Sequence, residues 1–170
     1  MRLRQLIPTI CLLIVICAPH CVAAQTATDE NASRVPARVM KAIERVNGIV
    51  LDCRLPTCVL KGDFAGQGKT DYAVLVAQKK TKARGILLVL ANGQSALLGA
   101  GNAVQYGAAS YKDLNFDEWE VYPKDKVIES GENQPILKLS RDSLLVSYHE
   151  SASGLFYWLH GRAHWYQQGD

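Results

Sequence analysis

The stretch Leu60-Lys61-Gly62-Asp63-Phe64-Ala65-Gly66-Gln67-Gly68-Lys69-Thr70-Asp71-Tyr72-Ala73-Val74-Leu75-Val76 decides the fold. It places a glycine-rich turn, bounded by two aspartates, between the short apolar run Val59-Leu60 and a strand-like segment, Tyr72 to Ala77. Gly85 to Ala91 answers as a second run of Ile, Leu and Val, after the polar, basic connection Gln78 to Arg84. Two such runs around a charged connection predict a β-hairpin. Runs that are apolar at nearly every position predict strands buried on both faces, with other elements covering each.

Outward from this hairpin, Val35 to Val46 is the convincing helix. Ser33 can cap it, Pro36 suits its first turn and Asn47-Gly48 stops it. Val39 or Met40, Ile43 and Val46 recur at helical spacing, which predicts a helix packed on a sheet. Asn92-Gly93 is a strong hairpin signal answered by Ser95 to Leu98, and Gly99 to Ala109 is small-residue-rich and ambiguous. Trp119–Tyr122, Val127-Ile128, Ile136–Leu139 and Leu144–Tyr148 are further strand candidates. A final hairpin sets Leu155–Leu159 against Ala163–Tyr166 around His160-Gly161-Arg162. The expectation is a mainly β (α+β) domain. It is an antiparallel β-meander or sheet of about seven to nine strands with one N-terminal helix packed on it. The boundaries expected are 1–24 signal peptide, 25–34 flexible leader and 35–170 a single domain.

The N-terminal expectation rests on Arg2 and Arg4, an apolar core from Leu6 to Ala18, and the small residues Val22-Ala23-Ala24 before Gln25. Cys11, Cys17 and Cys21 follow Ile or His, not the small residue lipid attachment requires. Removing 1–24 takes two of the 19 Lys and Arg and none of the 16 Asp and Glu, leaving a net charge of +1. A near-neutral domain gives no electrostatic case for nucleic acid or anionic lipid. The expected product is a periplasmic or secreted monomer with no stable membrane anchor. Of five cysteines, Cys53 and Cys58 remain, and in an exported protein that pair reads as a structural disulfide. Its spacing is neither Cys-x-x-Cys nor part of a zinc set.

Asp63 to Asp71 resembles the aspartate-rich turn of FG-GAP/VCBS-type secreted repeats, whose acidic positions bind calcium between two strands. Asp63, Gly68 and Asp71 match that pattern, while Ala65 and Gln67 stand where two ligands are expected. Calcium takes ~6–8 oxygens, so the expectation is no cofactor: a turn of conserved shape without metal, with calcium at Asp63 and Asp71 as the alternative. The endings Glu150 to Trp158 and Trp165 to Asp170 are also similar to small exported bacterial proteins carrying one such turn. The resemblance implies fold and address, not a mechanism.

No complete catalytic constellation is legible. Glu150-Ser151-Ala152-Ser153-Gly154 is not a nucleophile elbow, and Gly99-Ala100-Gly101 lacks the rest of a dinucleotide motif. His149, Glu150, His160 and His164 have no metal-site spacing. Asp113, Asp117, Glu118 and Glu120 surround Trp119 and suggest an envelope hydrolase if they converge with one raised carboxyl pKa. The aromatic hairpin residues Tyr157, Trp158, Trp165 and Tyr166, with Trp119, are the candidate binding residues; the competing expectation is that alternation buries them. The functional expectation is a non-enzymatic binding domain for a protein or a cell-envelope glycan, with an inhibitor or immunity protein as a special case. A hydrolase and a purely structural module are the alternatives.

Overall fold

The computed structural model describes residues 35–106, 109–128, 136–149 and 152–169. The expected signal peptide and leader, Ser33, Glu150 and Ser151 lie outside them. Among the described residues one helix, α1 (Ala37–Arg45), precedes eleven strands. A five-stranded sheet contains β1 (Ile49–Leu51), β2 (Val59–Gly62), β3 (Asp71–Gln78), β4 (Arg84–Val89) and β5 (Ser95–Gly99). A two-stranded ribbon pairs β6 (Val104–Tyr106) with β7 (Ala109–Tyr111). A four-stranded sheet runs β11-β10-β9-β8, from β8 (Glu118–Tyr122), β9 (Ser143–Tyr148), β10 (Ala152–Leu159) and β11 (Arg162–Gly169). Every pairing is antiparallel.

The hairpin expected at the centre is β3 against β4, with Leu75 opposite Ile86. Its residues alternate between two cores. Ala73, Leu75, Ile86 and Leu88 meet Leu144, Val146 and Phe156 of the four-stranded sheet. Val74, Val76, Leu87 and Val89 meet Val39, Ala42 and Ile43 of α1. The continuous apolar runs therefore mark strands covered by a helix on one side and a sheet on the other. Met40 is exposed; Ala42 takes the buried position beside Val39 and Ile43. Pro36 precedes the first helical residue without a side-chain hydrogen bond at that end. After Val46 the chain turns at Gly48, whose φ of +84° suits glycine.

Three local outcomes depart from the sequence pattern. The ambiguous segment Gly99–Ala109 supplies the end of β5, all of β6 and the first residue of β7. Gly99 is required there: a Cβ would stand 2.7 Å from both the Arg84 carbonyl oxygen and Leu114 Cγ. Val127-Ile128 and Ile136–Leu139 are not strands. Ile128, Leu137 and Leu139 instead cover the outer face of the four-stranded sheet, against Tyr122, Leu155 and Tyr166. The last hairpin turns on two residues, His160 and Gly161, with φ of +48° and +76°; Arg162 already pairs with Leu159. Cys53 and Cys58, between β1 and β2, stand at disulfide distance, with S–S 2.19 Å. No helix among the described residues is long and apolar enough to cross a membrane.

Candidate functional site

The aromatic hairpin is divided between two faces. Phe156 and Trp158 of β10 share a face with Trp165 and Ala163 of β11 and pack toward the five-stranded sheet. Leu155, Tyr157 and Tyr166 point the other way, beneath Ile128, Leu137 and Leu139. Tyr166 is only 7% exposed. Trp165 meets Phe156 edge-on at 4.9 Å and donates through Nε1 to Gln167 Oε1 at 3.2 Å. Tyr157 stacks on His164 at 5.3 Å. Period-two alternation has thus put these rings in two cores, and they do not form one exposed patch. Trp119 also packs against the inter-sheet core, where its Nε1 donates to the Thr57 carbonyl at 2.7 Å.

The acidic residues around Trp119 diverge. Asp113 accepts Arg84 Nε and Nη2, both at 2.9 Å, and the Arg84 backbone N–H at 2.7 Å. Asp117 accepts the His149 backbone N–H at 3.1 Å, and His149 Nδ1 lies 2.6 Å from its carboxylate. Glu118 and Glu120 are exposed, two residues apart on β8 and therefore on one face of it. The Arg84 hydrogen bonds hold the Asp113 carboxyl below its ordinary value, against the opposing effect of burial. The same bonds raise Arg84. A carboxylate so held is a fixed acceptor, not a proton donor. Asp113 and Asp117 are thus engaged by different partners, Arg84 and His149. His149 and His160 lie beyond opposite ends of β10. Among the described residues no group of three or more His, Cys, Asp or Glu is placed to hold a metal.

The aspartate-bounded turn has its own geometry. Asp63 Oδ1 and Oδ2 accept the backbone N–H groups of Gln67 (2.7 Å) and Gly68 (3.0 Å). Asp71, 1% exposed, accepts those of Ala91 (2.7 Å) and Ala65 (2.8 Å). All four oxygens face N–H donors, and Lys124 Nζ lies 3.9 Å from Asp63. With Ala65 and Gln67 at two ligand positions, these residues do not fit a calcium cage of ~6–8 oxygens.

One concavity does gather chemistry. The loop after β7 crosses from the ribbon to β8, anchored by buried Leu114 and Phe116 and by the Leu114 N–H, which donates to the Arg84 carbonyl at 3.0 Å. Its outer residues, with the ends of β7, β9 and β10, form a cleft of about 250 Å³ lined by Tyr111, Asp113, Leu114, Asn115, Tyr148 and Ala152. Tyr111 and Tyr148 are 48% and 39% exposed. The Tyr148 ring lies 4.6 Å from His149, which Asp117 holds at the end of β9. The cleft therefore has two amphipathic aromatic side chains, an apolar floor, a fixed carboxylate neutralised by Arg84, and a carboxamide. Of these residues the sequence singled out only Asp113. Tyr111 and Tyr148 are strand-end residues 37 positions apart, and only the packing of ribbon against sheet brings them together. Against protein-family models, curated proteins and solved structures, the chain has no match.

Proposed function

We propose that this protein is a non-enzymatic, periplasmic or secreted binding domain that takes a cell-envelope glycan into the cleft between Tyr111 and Tyr148. The observation that carries the reading is the pairing of two half-exposed tyrosines with Asp113 and Asn115 around one cleft of about 250 Å³. A pyranose ring has an apolar C–H face and an equatorial rim of hydroxyls. Aromatic side chains suit the first, and a carboxylate and carboxamide suit the second. The Arg84–Asp113 pair leaves no net charge from those two groups, which favours a neutral ligand over an ionic one. Asp113, held below its ordinary value by Arg84, is placed to accept hydrogen bonds and not to donate a proton, which supports binding over hydrolysis. The disulfide-distance pair is consistent with an oxidising compartment. The expected signal peptide and the FG-GAP/VCBS-like turn support export.

Titration calorimetry with soluble peptidoglycan fragments and N-acetylglucosamine oligomers tests the reading. Micromolar to millimolar affinity is expected, weakened about tenfold or more by Y111A or Y148A, that is ~1.4 kcal/mol. Absence of binding, or binding indifferent to both substitutions, overturns it.

A further inference from the structure

The opposite side of the five-stranded sheet carries a second concavity of different character. A cleft of about 140 Å³ lies between α1 and the β4–β5 turn, lined by Arg38, Lys41, Ala42 and Arg45 and by Val89, Leu90, Ala91 and Gly93. The three cations fall at i, i+3 and i+7, so helical periodicity puts them on one flank of α1. All three are exposed. Arg38 is fixed in place: its guanidinium donates to the Thr70 carbonyl and lies 4.4 Å over the Tyr72 ring. Lys41 and Arg45 have no ion-pair partner among the described residues. Glu44, the one acid on α1, does not line the cleft. Asp71 lies beneath Ala91, but its two oxygens are taken by the Ala65 and Ala91 N–H groups.

We infer that this cleft is an anion-binding site for a phosphate group, carried on a small phosphorylated molecule or on a phosphodiester headgroup. Two guanidinium forks and one ammonium around a cavity this small match a tetrahedral oxyanion, to which arginine donates in pairs. Three like charges gathered on one short helix also repel one another, and a bound anion relieves that repulsion. The site is independent of the Tyr111–Tyr148 cleft and shares no residue with it.

The test is an amide NMR titration of the full chain with inorganic phosphate at low ionic strength, beside sodium chloride at matched ionic strength. Vesicles of phosphatidylcholine with and without phosphatidylglycerol are sedimented with the protein in parallel. Saturable shifts confined to α1 and residues 89–93, with a Kd of about 1 mM or tighter, are expected with phosphate and not with chloride. K41A/R45A should weaken them at least tenfold, and K80A/K82A in the β3–β4 turn should leave them unchanged. Saturation by free phosphate assigns a small phosphorylated ligand. Sedimentation with phosphatidylglycerol vesicles, lost in K41A/R45A and without saturation by free phosphate, assigns a headgroup. If K41A/R45A loses its fold by circular dichroism, K41Q/R45Q replaces it. The inference is overturned if neither probe binds, if chloride reproduces the shifts, or if the substituted protein binds as the parent does.

Discussion

The backbone N–H of Asp63 donates to the Asp142 carboxylate at 2.8 Å, and the backbone N–H of Asp142 returns a bond to the Asp63 carbonyl at 3.2 Å. These residues are 79 apart in sequence and adjoin strands of different sheets, Asp63 directly after β2 and Asp142 directly before β9. Asp142 Oδ1 also accepts the Lys124 N–H at 3.3 Å, and Arg141 Nη1 donates to the Ala65 carbonyl at 3.2 Å. The glycine-rich turn is therefore a clasp between the sheets. Carboxylates and backbone amides do the joining.

Removing the Asp142 carboxylate strands the Asp63 N–H in a partly buried position. D142A should lower the unfolding free energy by about 2–3 kcal/mol, while D142N, which keeps one acceptor, should cost about 1 kcal/mol. Urea denaturation measures both. A loss below about 0.5 kcal/mol in D142A, the range of ordinary surface substitutions, would show that the clasp contributes nothing.

Asp71 is the more severe position, because it is almost fully buried and serves two N–H groups at once. D71A should destabilise by about 3 kcal/mol or more, since hydrogen bonds to a charged acceptor contribute about 1.5–3 kcal/mol each. The same geometry makes a statement about calcium. With the carboxylates directed at N–H groups and Lys124 beside Asp63, millimolar calcium should leave the melting temperature unchanged. A clear rise that disappears on chelation would reverse the assignment.

Much of the architecture was legible because it rests on local chemistry. Unbroken apolar runs at 72–77 and 85–91 read correctly as strands covered on both faces, Asn92-Gly93 as a turn, and the helix from its Val39–Ile43 spacing. The covering role of Ile128, Leu137 and Leu139 was not legible as such. Apolar residues that lie over the face of a sheet have the same composition as a strand and differ only in lacking a pairing partner. The Tyr111–Tyr148 cleft was invisible for another reason: it depends on which elements pack side by side, and no periodicity within one element records that. In the second cleft, helical spacing aligns Arg38, Lys41 and Arg45, but nothing in it records the β4–β5 turn packed beside them.

Gly154 sits under the Trp165 ring. A Cβ there would stand 2.1 Å from Trp165 Cζ2 and 2.7 Å from the Tyr166 carbonyl oxygen. The backbone oxygen cannot yield independently of the strand, so G154A should cost about 2–3 kcal/mol, as other over-packed cores do. It should also alter the near-ultraviolet circular dichroism of Trp165. G161A is the contrast: nothing lies within 4 Å of its Cβ, and only the φ of +76° opposes it. About 1–2 kcal/mol is expected there. Equal losses would mean that the Trp165 contact is not what restricts position 154.

The Arg84–Asp113 pair links the cleft to acid stability. Arg84 holds the folded-state pKa of Asp113 below its ordinary value of 3.8. For a depressed carboxyl, the stabilisation is complete above the unfolded value. It is lost as pH falls below 3.8 and through the lower folded value. Arg84 is shifted upward and stays charged at every pH below strong alkali, so in the acid range only protonation of Asp113 ends the pair. Asp113 is half-exposed, and solvent screening limits the pair to about 1 kcal/mol or less. D113N should therefore be less stable than the parent at neutral pH by that amount. The two unfolding curves should converge as the pH is lowered below 3.8 and through the folded-state value of Asp113. A difference that stays constant from neutral pH down to that point would show that the carboxylate charge is not what Arg84 stabilises.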